Sequence, residues 1–406
     1  MDALWKTWTN VLPRLFLLLL IPGFVFADDS KTEIGGHMKL RVVGQTYPSD
    51  SLIRDRAGSS SVDTQGELRL NFEAQMGSWS FDANYQLAAL NGETFQSSDD
   101  KRRLFNLTSV IDAGNTSVLL HRLDRLWVGY TSEKTVVRFG RQALTWGNGL
   151  FYAPMDLVNP FNPATIDTEY KAGDDMLYAQ YLRADGSDLQ LAYVFRRDLM
   201  SGAVDADEAT IAVKYHGSAG EWEYDTLIAQ NYGDPVAGVG ARRNIGGAVW
   251  SGDIVFTDTE RDIHVQLVTN LSYSWNWAGK NMSGALEYYF NGFGQSGGNY
   301  DLLALANNRT ELFALGRHYV AGSVTIEMTP LWGLSPTILV NIRDPSALFQ
   351  LVTNYSLSDN MTLLGSINLP LGASGTEFGG IQSATQMQVR YFSIDVGVFA
   401  QIAWYF

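Results

Sequence analysis

The sequence predicts an all-β protein, a transmembrane antiparallel β-barrel of about 18 strands (16–18) with short periplasmic turns and long extracellular loops. Three observations carry this. Apolar residues make up 46% of the 406, yet they alternate with polar ones instead of forming long runs. The alternating segments commonly reach about ten residues, the length a tilted strand needs to cross a bilayer, whereas soluble strands average about five or six. The connections between them alternate between short and long.

The chain opens with Lys6 and Arg14, runs apolar from Leu15 to Phe26 and reaches Val25-Phe-Ala27, the pattern of a secretion signal. Residues 1–27 are therefore expected to be a cleaved signal peptide, and residues 28–406 one outer-membrane barrel domain. No globular plug segment precedes residue 38, which argues against a TonB-dependent transporter. The formal charge is −14; removing Lys6, Arg14 and Asp2 with the signal takes away a net +1 and leaves −15. That sign argues against nucleic acid as a partner. With no cysteine in the chain, disulfides, thiol catalysis and thiolate metal sites are excluded.

Candidate strands fall near 38–44, 65–77, 79–90, 121–132, 134–143, 174–184, 187–197, 207–216, 220–231, 243–250, 253–257, 262–277, 281–291, 318–330, 336–343, 347–356, 361–369 and 389–406. In "DIHVQLVTNLSYSWNW", residues 262–277, Ile263, Val265, Leu267, Leu271, Tyr273, Trp275 and Trp277 share one parity while His264, Gln266, Asn270, Ser272, Ser274 and Asn276 share the other. Successive strand residues point to opposite faces, so one face is oily and the other wet. The same holds for Leu68, Leu70 and Phe72 against Glu67, Arg69, Asn71 and Glu73.

Short joins are read at "GSWS" 77–80, "ADGS" 184–187, "GSAG" 217–220, "SG" 251–252 and "AGKN" 278–281, and long ones at 45–64, 91–120, 144–173, 292–317 and 370–388. Trp79, Trp222, Trp250, Trp275, Trp277, Trp332 and Trp404 cluster at the short-turn end or the C-terminus, as an interfacial aromatic girdle requires. The last strand alternates Val396, Val398, Ala400, Ile402, Trp404 and Phe406. A terminal aromatic residue there resembles the signal read by the barrel-assembly machinery, so that machinery is an expected partner through Phe406, with outer-membrane lipid and lipopolysaccharide around the wall.

A barrel of this size leaves an aqueous lumen unless loops intrude, and the expectation is passage of small hydrophilic solutes without catalysis; the alternative is a structural or interaction barrel, an occluded scaffold or the membrane component of an envelope assembly, with an outer-membrane hydrolase third. The inward parity carries Arg69, Glu73, Asp82, Arg125, Arg138 and Lys214 as pore-lining candidates, beside Glu67, Arg196, Asp225, Glu287 and Glu327. Signs are mixed, so the charges either pair with one another or set a weak selectivity. Arg125 and Arg138, on neighbouring strands, are candidates for a basic patch that would meet an anionic solute. No cofactor or metal is expected, since no two histidines are spaced as ligands; Asp262, His264 and Ser323 form no hydrolase pattern beyond chance.

The segment 144–173 contains Trp146, Leu150, Phe151, Tyr152, Met155, Leu157, Val158 and Phe161, too apolar for a connection surrounded by water. Its expected place is folded back into the barrel as a constriction, with Trp146, Asp156, Asn159, Asp167, Glu169 and Lys171 as its candidate residues; the alternative is a cap over the mouth. Gly140 is expected to host either a bulge turning Arg141 inward or a regular strand that leaves Arg141 at the rim.

"RFGRQ" at 138–142, "WG" at 146–147 and "MDLVNPFNP" at 155–163 together resemble the signature of the alginate-export-like family of outer-membrane barrels. There Gly-Arg-Gln closes a strand and a Trp-Gly and Asp-x-x-Asn-Pro loop follows. The resemblance implies an 18-strand monomeric barrel passing a hydrophilic solute or polymer. A dedicated alginate exporter would line its lumen heavily with Arg and Lys, and the mixed wall charges here differ from that.

Overall fold

The computed structural model describes residues 30–93, 99–296, 300, 314–383 and 389–406; the expected signal segment 1–27 lies outside them. In order, the strands are Ser30–Thr46 (β1), Ser60–Met76 (β2), Trp79–Asn91 (β3), Thr108–Ala113 (β4), Ser117–Thr131 (β5), Thr135–Gln142 (β6) and Asp174–Leu182 (β7). Next come Asp188–Val194 (β8), Thr210–Ala219 (β9), Trp222–Asn231 (β10), Asp234–Ile245 (β11), Ala248–Asp258 (β12), Ile263–Trp277 (β13) and Lys280–Asn291 (β14). The chain ends with His318–Thr329 (β15), Trp332–Asn341 (β16), Ser346–Ser358 (β17), Met361–Leu371 (β18), Ile381–Gln382 (β19), Tyr391–Phe392 (β20) and Val396–Tyr405 (β21).

All but β4, β19 and β20 form one wall of 18 antiparallel strands. It closes where β1, paired with β2 along one edge, pairs with β21 along the other, from His37 opposite Tyr405 to Thr46 opposite Val396. Closure follows from the solvent: in hydrocarbon an unpaired backbone amide costs several kcal/mol, roughly, so a sheet can have no free edge. Each wall strand overlaps an expected one. The periodicity that predicts them is the pleat itself, and along β10 Thr226, Ile228 and Gln230 are exposed while Asp225, Leu227, Ala229 and Asn231 are buried.

One hairpin differs from the sequence reading. The turn expected at 251–252 is instead Gly246-Gly247, and Ser251 and Gly252 lie within β12, opposite Asn270 and Thr269. Gly246 and Gly247 have φ of 56° and 88°, the two consecutive positive values of a type I′ turn, whose twist matches antiparallel strands. β11 accordingly begins at Asp234, well before the expected residue 243. The last expected strand, 389–406, also divides: β20 leaves the wall to pair with β19, and only β21 joins it.

The outward parity exposes Ile228, Val239, Leu271, Leu286, Ile367 and Val398. A continuous apolar belt of this kind is untenable in water and suits lipid. At the short-turn end Trp79, Trp222, Trp277, Trp332 and Trp404 are exposed. Trp250 packs edge-on against Trp222 with ring centroids 5.8 Å apart, and the Trp222 ring also carries the Arg243 guanidinium at 5.2 Å.

Candidate functional site

The site begins where the wall is interrupted. β6 is only 8 residues long, so above it the upper half of β5 lacks β6 as a neighbour. Segment 100–113 fills the gap. β4 pairs with β5 from Thr108 opposite Arg122 to Ala113 opposite Val118, while Arg197 N–H donates to Arg102 O at 2.7 Å on the far side. At Gly140, φ is 126°, and a Cβ would meet Leu126 O at 2.2 Å; the strand bends there because only glycine fits.

The bend turns Arg141 fully into the protein. Its Nε and Nη2 donate to the two oxygens of Asp175 at 2.9 and 3.1 Å, Nη1 donates to Asp100 Oδ1 at 3.1 Å, and Nη2 donates to Phe105 O at 2.7 Å. Around it Arg103 pairs with Asp100 at 2.7 Å and Arg196 with Asp174 at 3.3 Å. One planar guanidinium thus joins β6, β7 and the wall-filling segment, which point charges on a flexible stem would do poorly. Sequence reading placed Arg141 only as inward or at the rim; its partner Asp100 is 41 residues away and invisible without the topology.

Beyond β6 the connection follows the inner face of the wall. Trp146, Met155 and Leu157 pack on Ala192, Ala212, Leu227, Ala229, Val236 and Val255 from β8 to β12, where small wall residues leave room for large ones. Trp146 Nε1 donates to Gln190 Oε1 at 2.7 Å. The Asn148 amide and side chain both donate to Asp253 at 2.7 Å. Three successive amides, Leu150, Phe151 and Tyr152, then donate to the Glu287 carboxylate at 2.5, 3.1 and 2.8 Å, a backbone nest closed on a wall anion. The Tyr152 ring stacks on Tyr289 with centroids 4.7 Å apart.

Further on, Gln350 Nε2 of β17 donates to Ala164 O at 3.0 Å. Asp167 accepts from Lys39 at 2.9 Å and Arg41 at 3.0 Å, and Glu169 pairs with Lys39 at 2.7 Å and accepts from the Tyr405 hydroxyl at 2.9 Å. The Arg69 guanidinium covers the Tyr170 ring at 3.9 Å. The segment returns to its origin where Arg125 donates to Lys171 O and Lys171 Nζ pairs with Asp156 at 2.5 Å. Asn159, with φ of 50°, tolerates the left-handed region and donates from Nδ2 to Ala172 O at 3.4 Å. Residues 146–171 therefore touch strands on every side of the ring.

Of the pore-lining candidates, Arg69 is buried beneath Tyr170 and paired with Asp124, Lys214 is buried and paired with Asp225 at 3.0 Å, and Asp82 is half-buried. Glu73 is exposed. Arg138 lies over the Trp127 ring at 4.8 Å. The expected Arg125–Arg138 patch does not assemble: Arg138 stands opposite Gly129 and Arg125 opposite Asn84, four residues apart along β5, and Arg125 is taken up by Lys171 O and by Asp124 O at 2.8 Å. Asp262, His264 and Ser323 are not brought together either; His264 stacks on Phe293 at 4.2 Å and Ser323 bonds Thr337 at 2.8 Å.

Asp156 is pushed up to about 6 by burial, against the opposing charge and hydrogen bond of Lys171. A raised folded pKa gives stability that is present below the ordinary carboxylate value and lost as pH rises through about 6. Wild type is thus expected to lose thermal stability relative to Asp156→Asn as pH rises from the ordinary carboxylate value of 3.8 to about 6, the pair converging below that range and the gap staying level above it, as read from the heat-modifiability midpoint on gels. A gap that stays constant with pH would contradict this assignment.

The fold and the inner segment define a class, the closed 18-strand outer-membrane-type β-barrel with one connection held against its inner wall. No family model matches the chain, and no curated protein does. Among solved structures it is similar to OccAB4 of Acinetobacter baumannii, with a TM-score of 0.54 at 8% identity over 93% of this chain and 98% of that one. It is similar to OccK5 (OpdH) of Pseudomonas aeruginosa, with 0.54 at 9% identity over 94% and 98%. The BenF-like porin from Pseudomonas fluorescens Pf-5 gives 0.52 at 8% identity over 94% and 99%. At such identities the likeness is one of fold.

Proposed function

We propose that the chain is a porin-like outer-membrane channel for passive diffusion of small hydrophilic solutes, constricted by residues 144–173. The observation that carries the proposal is a closed 18-strand wall whose inner face, polar outside the apolar seats of the connection, is bound along its circumference by that one connection. A wall this wide cannot be filled by its own side chains, so the connection sets the remaining aperture. The BenF-like porin shares the architecture, and the likeness of residues 138–163 to alginate-export-like barrels favours a hydrophilic cargo. The same reading places the barrel in the outer membrane as a monomer, surrounded by lipid and lipopolysaccharide, exported by the signal 1–27 and inserted through Phe406.

Purified full-length protein in planar bilayers is expected to show stepwise ion currents, larger after deletion of residues 146–170. No current from either form would sink the channel reading and leave an occluded scaffold. Arg138 engages Trp127 and no carboxylate among the described residues, so its charge is expressed in the lumen. Arg138→Ala is expected to move the reversal potential in a salt gradient towards cation preference; an unmoved potential would remove Arg138 from the conducting path.

A further inference from the structure

Below the level at which Asn270 and Glu287 hold the connection, the inner face of β13 to β16 carries neutral hydroxyl and amide groups down to Glu327, which accepts from Asn281 Nδ2 at 2.6 Å at its lower edge. The strand register aligns them into rows. Ser274 faces Ser283, Ser283 faces Thr325, and the Thr325 hydroxyl bonds that of Ser335 at 2.9 Å. One step closer to the connection, Ser272 faces Ala285, Ala285 faces Ser323, and the Ser323 hydroxyl bonds that of Thr337 at 2.8 Å. The hydroxyl-bearing residues of both rows are half-buried or exposed and none is charged. Their parity is the inner one, because Asn270 and Glu287, which bond the connection, belong to it.

The cations elsewhere on the inner wall are largely neutralised within the protein. Lys39 and Arg41 are held by Asp167, Arg69 by Asp124 and Lys214 by Asp225. Nine positions round the ring from β14 and β15 stand β5 and β6, which present Trp127 and Arg138. One side of the lumen is thus a field of neutral hydroxyls edged by Glu327, and the other an aromatic ring with a cation.

A hydroxyl both donates and accepts and rotates to suit its partner. A solute hydroxyl can therefore replace a water or a neighbouring Ser or Thr bond for bond. Rows on adjacent strands, about 4.8 Å apart, let a solute exchange partners stepwise without stripping water from a charge. An ion gains nothing comparable from these rows, and a neutral solute without hydroxyls cannot return the donated bonds.

We propose that the hydroxyl rows of β13 to β16 form a subsite for neutral polyhydroxylated solutes, sugars and polyols, and favour them over neutral solutes of equal size that lack hydroxyls. This rests on the channel reading. The test is liposome swelling with the full-length protein, comparing maltotriose with a polyethylene glycol dimethyl ether of matched hydrodynamic radius, which has no hydroxyl, alongside potassium chloride conductance in planar bilayers. Wild type is expected to admit maltotriose at least about threefold faster, and S274A/S283A/T325V/S335A to abolish that preference with conductance retained. Maltotriose is also expected to reduce the wild-type ion current reversibly, a measurement that needs no variant should the quadruple substitution fail to fold. Absence of ion current in wild type would count against the channel itself. Conductance with equal rates for the two solutes and no current block, or a preference surviving the quadruple substitution, would overturn the subsite alone.

Discussion

Replacing Glu287 with alanine is expected to raise single-channel conductance at least about twofold and to add open-state noise. The carboxylate accepts three consecutive amides of the connection and the Asn270 side chain. Each buried amide left without a partner costs roughly 1–3 kcal/mol, so the stretch 150–152 gains more from water than from its seat on the wall and moves into the lumen or out of it. Glu287→Gln retains the shape and one accepting oxygen, and an intermediate effect is expected of it. Single-channel recording of both variants decides the matter. Conductance and noise identical to wild type in a folded Glu287→Ala barrel would show that the nest does not hold the aperture. The Asn148–Asp253 and Lys39–Asp167 bonds remain, which is why a widened pore is expected and not a denatured one.

Arg141→Ala is expected to cost stability instead. Removing one partner of a buried ion pair typically costs about 3–5 kcal/mol because the other charge stays behind, and here Asp175 and Asp100 would both be stranded. The heat-modifiability midpoint should fall sharply, and limited proteolysis should open segment 99–113, whose seat in the wall depends on Asp100 and Phe105. Arg141→Lys should rescue little, since one ammonium cannot reproduce a fork to a carboxylate together with bonds to a second acid and a carbonyl. A wild-type midpoint for Arg141→Ala would refute the pinning role. The two experiments separate an anchor of the connection from an anchor of the wall.

The wall strands were legible in the sequence because alternation is a local property: one parity of Ile263, Leu267 and Leu271 must meet lipid whatever the neighbours are. Trp79, Trp277 and Trp404 marked one membrane boundary for the same reason. The sequence does not locate the turn at Gly246-Gly247, because Ser-Gly at 251–252 carries turn composition equally well and only cross-strand register with β13 decides between them. The apolar content of 144–173 required burial, but composition could not say against which strands. Arg125 and Arg138 lie on neighbouring strands joined by one turn, which in sequence suggests a pair; register, with Gly129 opposite Arg138, separates them.

Alternation and connection length by themselves therefore determined the barrel, bounded its strand number at 16 to 18 and marked its lipid-facing side, since each follows from residues adjacent in the chain. Closure of the ring decided the rest. Pairing of neighbouring strands brings Asp100 to Arg141, and only when β1 meets β21 do residues as distant as Glu287 and Leu150, or Lys39 and Asp167, come within hydrogen-bonding distance across the ring. Those long-range bonds place the connection and neutralise most wall cations, because electrostatic and hydrogen-bond energies depend on separation in space, which the order of residues does not record.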